Sequence, residues 1–279
     1  MTKALTCLLA GGALAISGLQ MQTLFRNALA GPDVLGLSSG ASLAVAIILL
    51  GQSTILSTIT NSWTIALASS LGCIAVFLIM LAIARRLQDN VSLLLVGLMI
   101  GAATSSMVSV LQYFSQADDL QMFIIWTFGS IGGLNWTEIQ ILFIILLLGG
   151  TLAFWSIKAL NAWLLGENYA RSLGVDVKRA RVIVIISTSI LTGGVTAFCG
   201  PIAFVGLAVP HLVRLLMKTS NHKILIPAVF IGGGSLMLLC DILTHVPGSS
   251  QILPINAITA LVGAPVVIWI IMRNKKISV

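Results

Sequence analysis

Charged side chains lie too far apart in this chain for it to fold as a water-soluble domain. The 22 positions 4–25 carry no Asp, Glu, Lys or Arg, and 51 uncharged positions separate Asp33 from Arg85. A helix needs about 20 mainly apolar residues to cross the hydrocarbon of a bilayer. Further uncharged runs cover 90–117, 139–157, 182–213, 224–240 and 255–272. The run between Asp33 and Arg85 is interrupted by the polar stretch 51–62, so it holds two spans. The run 182–213 contains Gly193-Gly194, Gly200-Pro201 and Pro210, which predicts two short helices around a sharp reversal. The runs are continuous rather than alternating with period two, so the spans are helices and not barrel strands. The expectation is an all-α polytopic membrane protein, a single domain over 1–279 with nine predicted transmembrane helices. Residues 118–137 hold Gly129, Gly132, Gly133 and Asn135 and read as a re-entrant or interfacial loop.

Composition excludes the other classes. Charged residues are 8% of the chain, against about 25% in soluble domains. The same apolarity excludes disorder. The net charge of +7 is spread thinly, with no basic stripe for nucleic acid. With alternating spans, Arg26, Arg85, Arg86, Lys158, Arg171, Lys178, Arg179, Arg181, Arg214, Lys218, Lys223, Arg273, Lys275 and Lys276 fall on one side and Lys3 alone on the other. By the positive-inside rule that side is cytoplasmic, which puts the C-terminus inside a bacterial cytoplasmic (inner) membrane and the N-terminus outside. The first apolar run lacks a small-residue cleavage site and reads as a span rather than a leader.

Catalytic patterns are missing. No GxxxxGK-S/T phosphate loop, HExxH or CxxC is present, so this chain is expected not to hydrolyse ATP and to hold no metal or other cofactor. Cys7, Cys73, Cys199 and Cys240 sit singly in apolar stretches and read as buried thiols. His211, His222 and His245 lack ligand spacing. Gly36-Leu37-Ser38-Ser39-Gly40 matches a nucleophile-elbow pattern, but no strand precedes it, and Ser38 and Ser39 are expected to cap the following helix. Asn135-Trp136-Thr137 is a glycosylation sequon by pattern only. Asp241 is the one carboxylate close to a span and reads as a helix-end group bonded to a neighbour. With no buried carboxylate chain, the energy for any transport is expected from another chain.

The longest cytoplasmic segment, 158–181, places Leu160, Trp163 and Leu164, then Tyr169, Leu173 and Val175, at helical spacing, punctuated by Gly166 and Gly174. This predicts two short amphipathic helices along the membrane surface, with Glu167 near the N-terminus of the second. An apolar knuckle flanked by charge suits docking of a partner, although a plain interfacial linker has the same pattern.

Within that segment, LLGENYARSLGV resembles the ATPase-coupling segment of the FecCD family, the permeases of type II ABC importers for iron–siderophores, haem and cobalamin. GALAISGLQMQTLFRNALAGPDVLGLSSGASLA is similar to the family's second helix and its loop. GPIAFVGLAVPHLVRLL is similar to the signature near its seventh and eighth helices, and LPINAITALVGAPVVIWII to its last helix. The four blocks stand in family order across essentially the whole chain, and WTFGSIGGLNW fits between them. Family members have ten helices with both termini inside, and the first of these has no counterpart in this sequence. Ala28 stands in place of a usual proline, and Ile252 and Asn256 in place of an acidic residue and a glycine.

The resemblance implies a FecCD/cobalamin-permease-like bundle and roles for particular residues. Leu165, Gly166, Glu167, Tyr169, Ala170, Arg171, Ser172, Leu173 and Gly174 would couple to the ATPase. Asn27, Leu29, Asn90 and Val91 would form a cytoplasmic gate, although Asn90-Val91 departs from the family's small hydroxyl residues. A pathway between two permeases would be lined by 91–113 and 254–273, with Gly97, Gly101, Thr104 and Ser105 as candidates; ordinary packing within one chain explains those small residues equally well. Lys3 and His245 would receive acidic residues of a substrate-binding protein, or serve as a plain interfacial lysine and loop histidine. The implied partners are ABC ATPase subunits carrying ATP and Mg, a periplasmic or lipid-anchored binding protein, a second permease copy and the lipid bilayer. Two other functions compete: an ion-coupled secondary transporter of another class, which the lack of buried carboxylates opposes, and an intramembrane enzyme, for which no paired catalytic groups are found.

Overall fold

The computed structural model describes residues 1–51, 62–87, 90–245 and 252–274. The side chain of Asn90 and the basic residues Lys275 and Lys276 lie outside the described residues. Apolar runs become helices because each run satisfies its backbone polar groups internally, as hydrocarbon demands. The order is α1 (Thr2–Leu24), a 3₁₀ turn (Pro32–Leu35), α2 (Leu37–Leu50), α3 (Ser62–Arg86), α4 (Asn90–Phe114), α5 (Ala117–Thr127), α6 (Trp136–Trp155), α7 (Ile157–Leu164), α8 (Glu167–Ser172), α9 (Val177–Cys199), α10 (Val205–Met217), α11 (His222–Thr244) and α12 (Ile255–Asn274). Among the described residues, six helices are long and apolar enough to cross a membrane: α1, α3, α4, α6, α9 and α11. Helices α2, α10 and α12 are shorter apolar segments.

Helix α1 is the axis of the bundle. It packs on α11, α9, α10 and α6, and its residues 9–24 are buried throughout. Small residues make this possible: a Cβ on Gly11 would overlap the carbonyl of Gly233 in α11, and one on Gly18 would overlap the carbonyl of Gly206 in α10. Backbones in this close contact gain dispersion energy that larger side chains would forfeit. Polar contacts also hold the axis, with Ser17 and Thr192 hydroxyls 2.8 Å apart across α1 and α9.

Three local expectations are corrected. The segment 118–137 is not all loop, because 117–127 form helix α5, with Phe123 buried against α2. Eleven residues rise only about 16 Å, too little to span. The Gly193-Gly194 pair does not shorten its helix: α9 runs 23 residues through it, and the two glycines let Cys73 and Ile145 pack close. The reversal comes instead at 200–204, where Gly200 (φ 73°) and Phe204 (φ 68°) are both left-handed. Finally, neither Ser38 nor Ser39 caps α2. The N-cap is Gly36 in a left-handed conformation, and the Ser38 hydroxyl donates to Asp33 at 2.5 Å. Asn135 has a structural job outside the sequon reading, closing a capping box on α6 with Glu138 through bonds of 3.0 and 2.9 Å.

Candidate functional site

The predicted coupling segment forms two short helices, α7 and α8, hinged at Gly166. Gly166 has φ 113°, a conformation that L side chains rarely adopt, so the angle between the helices depends on glycine there. One face is anchored: Leu160, Trp163 and Ala170 are buried in the cluster that includes Leu24, Phe25 and Ile185. The other face is open, with Leu165 64%, Tyr169 53% and Leu173 58% exposed. Glu167 and Arg171 pair at 2.7 Å, one turn apart. Glu167 also meets the buried Arg181, which donates to the carbonyl of Leu87 at 2.9 Å and so ties α8 to the end of α3. Ala170 is therefore an anchor rather than a docking contact. Ser172 and Gly174 lie on the exposed side, and Gly174 takes φ 80° to end the segment.

The loop after α1, which carries two of the predicted gate positions, lies beside this segment. A groove of about 850 Å³ runs between Arg26 and residues 165–169, 171 and 172. Arg26 itself takes φ 48° and turns the chain sharply out of α1. The Asn27 side chain accepts from the Leu29 backbone at 2.9 Å and holds Leu29 exposed. Val91 is exposed in the first turn of α4, and the backbone of Asn90 begins that helix.

The pathway candidates separate. Gly97 packs within the chain: a Cβ there would overlap the carbonyl of Val34. Thr104 is buried and bonds its own helix at Ile100 and Gly101. Gly101 borders Ser39, and Ser105 opens onto a cavity of about 430 Å³. That cavity is lined by Ser38, Ser39, Ser42, Ser105, Ser109, Thr127, Asn256 and Asp33 together with the apolar Val108, Phe123, Pro201, Ile202 and Ala203. Ser38 is bonded to Asp33, and Ser42, Ser109 and Thr127 to carbonyls of their own helices, so the wall is a largely apolar surface with a few polar groups, the usual make-up of a small-molecule site. Asn256, a departure from the family pattern, is a clamp: it accepts from Ala203 N at 3.0 Å, and its backbone N donates to Phe128 at 3.2 Å. It thereby joins α12 to the 200–204 reversal and to the end of α5. Sequence reasoning missed Asp33, because only folding brings it to the same cavity as Ser105 and Asn256.

At the opposite end, Lys3 and His245 meet, with Nζ and Nε2 3.5 Å apart. Lys3 also pairs with Asp241 at 2.8 Å. The ammonium thus has an acid partner in its own chain. The four cysteines are buried free thiols, and among the described residues no three His, Cys, Asp or Glu side chains cluster as metal ligands.

A third group of residues, to which sequence reasoning gave no joint role, meets at the base of α1. There, Thr23 Oγ1 lies 2.9 Å from His222 Nε2 and 3.3 Å from Arg214 Nη2. Gln22 Oε1 accepts from Arg214 Nη1 at 3.3 Å, and Gln22 Nε2 donates to the carbonyl of Leu207 at 3.0 Å. His211 Nε2 lies 2.8 Å from the carbonyl of Ala28, so the position without the usual proline is bonded to α10. His222 Nδ1 lies 2.8 Å from Asn161 Oδ1 on α7. The arrangement holds helix ends together, and Thr23 and His222, 3% and 0% exposed, are closed off from any substrate although their geometry pairs a hydroxyl with an imidazole.

Comparison with known proteins gives one consistent family. Residues 1–273 match the FecCD transport family. The vitamin B12 import system permease protein BtuC of Klebsiella pneumoniae subsp. pneumoniae is 35% identical over 274 residues, covering 98% of this chain and 81% of that protein. The protein of the same name from Salmonella typhi is 34% identical over 278 residues, covering 98% and 82%. Among solved structures, an inward-facing conformation of an ABC transporter assigned to the metal-chelate type superposes with a TM-score of 0.87 at 29% identity, covering 98% of this chain and 85% of that one.

Proposed function

The chain belongs to the FecCD transport family as the membrane permease of an ABC importer in the inner membrane, and from that premise we propose that it carries an intact metal chelate of the cobalamin class. The observation that supports a chelate over a free ion is the cavity beside Ser105, whose wall mixes apolar residues such as Val108, Phe123 and Ile202 with neutral Ser and Thr residues, one amide and a single carboxylate. A bare cation would call for a cluster of charged ligands. A corrinoid or similar chelate presents amides and a large surface that hydroxyls can follow. Relatives named for vitamin B12 import narrow the class further. Uptake by the complete importer in proteoliposomes should be competed by cyanocobalamin and not by a ferric siderophore or haem. Competition by either of those and not by cyanocobalamin would reassign the substrate.

Family membership implies an ATPase, a substrate-binding protein and a second permease. On this reading ATP and Mg stay on the ATPase, which docks on the open face of α7 and α8. Leu165, Tyr169 and Leu173 enter a groove on it, while Glu167 and Arg171 fix orientation at the rim. A buried aromatic anchor outweighs a rim charge, so Tyr169→Ala should weaken ATPase binding by about 2 kcal/mol and Glu167→Ala by less than about 1 kcal/mol. Unchanged ATPase co-purification in both Tyr169→Ala and Gly166→Leu would make the segment a linker. The same reading puts the C-terminus in the cytoplasm, so reporter fusions after Arg86 and Arg181 should score cytoplasmic. The binding protein would meet the end that carries Lys3 and His245, with Asp241 competing for the lysine.

A further inference from the structure

One hydrogen-bonded chain of side chains runs from the docking segment proposed above to the loop after α1. It begins on α7, the anchored half of the docking segment. Asn161 Oδ1 lies 2.9 Å from the backbone N of His222 and 2.8 Å from its Nδ1. Asn161 Nδ2 donates to Asn221 Oδ1 at 3.1 Å, which orients the amide with its oxygen toward His222. Since that oxygen can only accept, Nδ1 carries the hydrogen. In the neutral ring Nε2 is then an acceptor, and Thr23 Oγ1 faces it at 2.9 Å. The Thr23 hydroxyl also lies 2.9 Å from the carbonyl of Leu19, so its single hydrogen has two competing acceptors, one on its own helix and one on α11. Arg214 of α10 donates to Thr23 and to Gln22, and Gln22 donates on to Leu207. The chain ends at the base of α1, immediately before the loop that carries Asn27 and Leu29. Thr23, Gln22 and His222 are 3%, 3% and 0% exposed, so water cannot substitute for the contacts.

We propose that Asn161, His222, Thr23 and Arg214 are positioning residues of transport, a relay that carries movement of α7 to the cytoplasmic end of α1 and its gate loop. This rests on the reading of α7 and α8 as the ATPase docking segment. The geometry favours it over a simple staple for two reasons. The relay spans three helix ends and α7 rather than one helix pair, so a shift of α7 has to move His222 and Thr23 or break the chain. Its central hydroxyl also stands within hydrogen-bond reach of acceptors on both α1 and α11, so it ties the cytoplasmic end of α1 to the start of α11 rather than serving α1 alone.

The test uses the complete importer in proteoliposomes, with ATP consumed per cyanocobalamin imported as the readout. His222→Phe keeps ring volume and removes both ring contacts. Thr23→Val keeps shape and removes only the hydroxyl, so it leaves packing intact if the phenylalanine disturbs folding. Asn161→Ala removes the acceptor, and Asn161→Asp restores it. ATP consumed per solute should rise at least about tenfold in His222→Phe and Asn161→Ala and at least about threefold in Thr23→Val, with Asn161→Asp closer to the native ratio than Asn161→Ala. A ratio within about twofold of native in Thr23→Val and Asn161→Ala, with the ATPase still bound, overturns the relay. Loss of ATPase binding in Tyr169→Ala with a native ratio in the relay variants keeps the docking reading and rejects the relay alone. Retention of the ATPase in Tyr169→Ala rejects the docking reading, on which the relay depends.

Discussion

Helices α1 and α4 are close in length, 23 and 25 residues, and face opposite fates. In its most apolar stretch α1 is 83% buried, while α4 is 22% buried, although α1 is the less apolar of the two. In water the more apolar helix would go inside. In lipid, hydrophobicity does not choose the centre, because acyl chains solvate a leucine as well as a protein core does. What separates the helices is fit. Helix α1 offers Gly11 and Gly18 to the backbones of α11 and α10, and Ser17 to Thr192. Helix α4 offers a glycine contact at Gly97 on one face only. Its other face exposes Leu95, Met99, Met107 and Val110 beside a hydroxyl row that includes Ser105, Ser106 and Ser109. Ser106 and Ser109 donate to carbonyls of their own helix, which lipid tolerates, while Ser105 opens onto the cavity, so part of that face suits a pathway and the rest suits the bilayer.

The sharpest way to break the contrast is Gly18→Leu. A side chain there has to displace the Gly206 backbone, so stability should fall by at least about 3 kcal/mol, the upper end for overpacking. Loss of folded protein by thermal unfolding in detergent is the check, and a native midpoint would show that α1 is not held by backbone contact. Within α4, Gly97→Ala should cost about 2 kcal/mol through its clash with Val34, while Gly101→Ala stays within about 0.5 kcal/mol. Equal effects at the two glycines would mean that α4 does not present distinct faces. Ser105→Leu should leave unfolding unchanged and cut uptake about tenfold, about 1.4 kcal/mol, because it fills the cavity and not the core. A drop in stability instead would assign Ser105 to packing. The smallest effect is expected for Ser17→Val, which gives up the bond to Thr192 and should cost about 0.6 kcal/mol, typical of a hydrogen bond between membrane helices. Thr192→Val in the same background should then add almost nothing.

The end of the molecule that carries Lys3 offers a second contrast. Lys3 and His245 read from sequence as a loose lysine and a loop histidine, or as receivers of a partner's acids. Folding puts them together and makes Lys3 the partner of Asp241, 238 positions away, where sequence alone read that carboxylate only as bonded to some neighbour. The segment 158–181 behaved oppositely. Two short helices broken at Gly166, with Glu167 at the start of the second, were legible, because spacing along a helix fixes which side chains are neighbours.

The sequence by itself determined that this chain lies in a membrane as helices, roughly where each long helix runs, and that it looks like a FecCD permease. Those properties depend on local quantities: runs without charge, glycine and proline at breaks, and motif residues close together in the chain. Only the tertiary structure decided which apolar helix became the axis, that 117–127 forms a helix too short to cross, and that Gly97 packs inward while Ser105 faces a cavity. It alone decided that Asn161, His222, Thr23 and Arg214 make one chain of contacts. The physical reason is shared by all of these. In lipid a helix is stable before it packs, so its position depends on how closely backbones and buried polar groups of distant segments fit together, and no local run of residues encodes that fit.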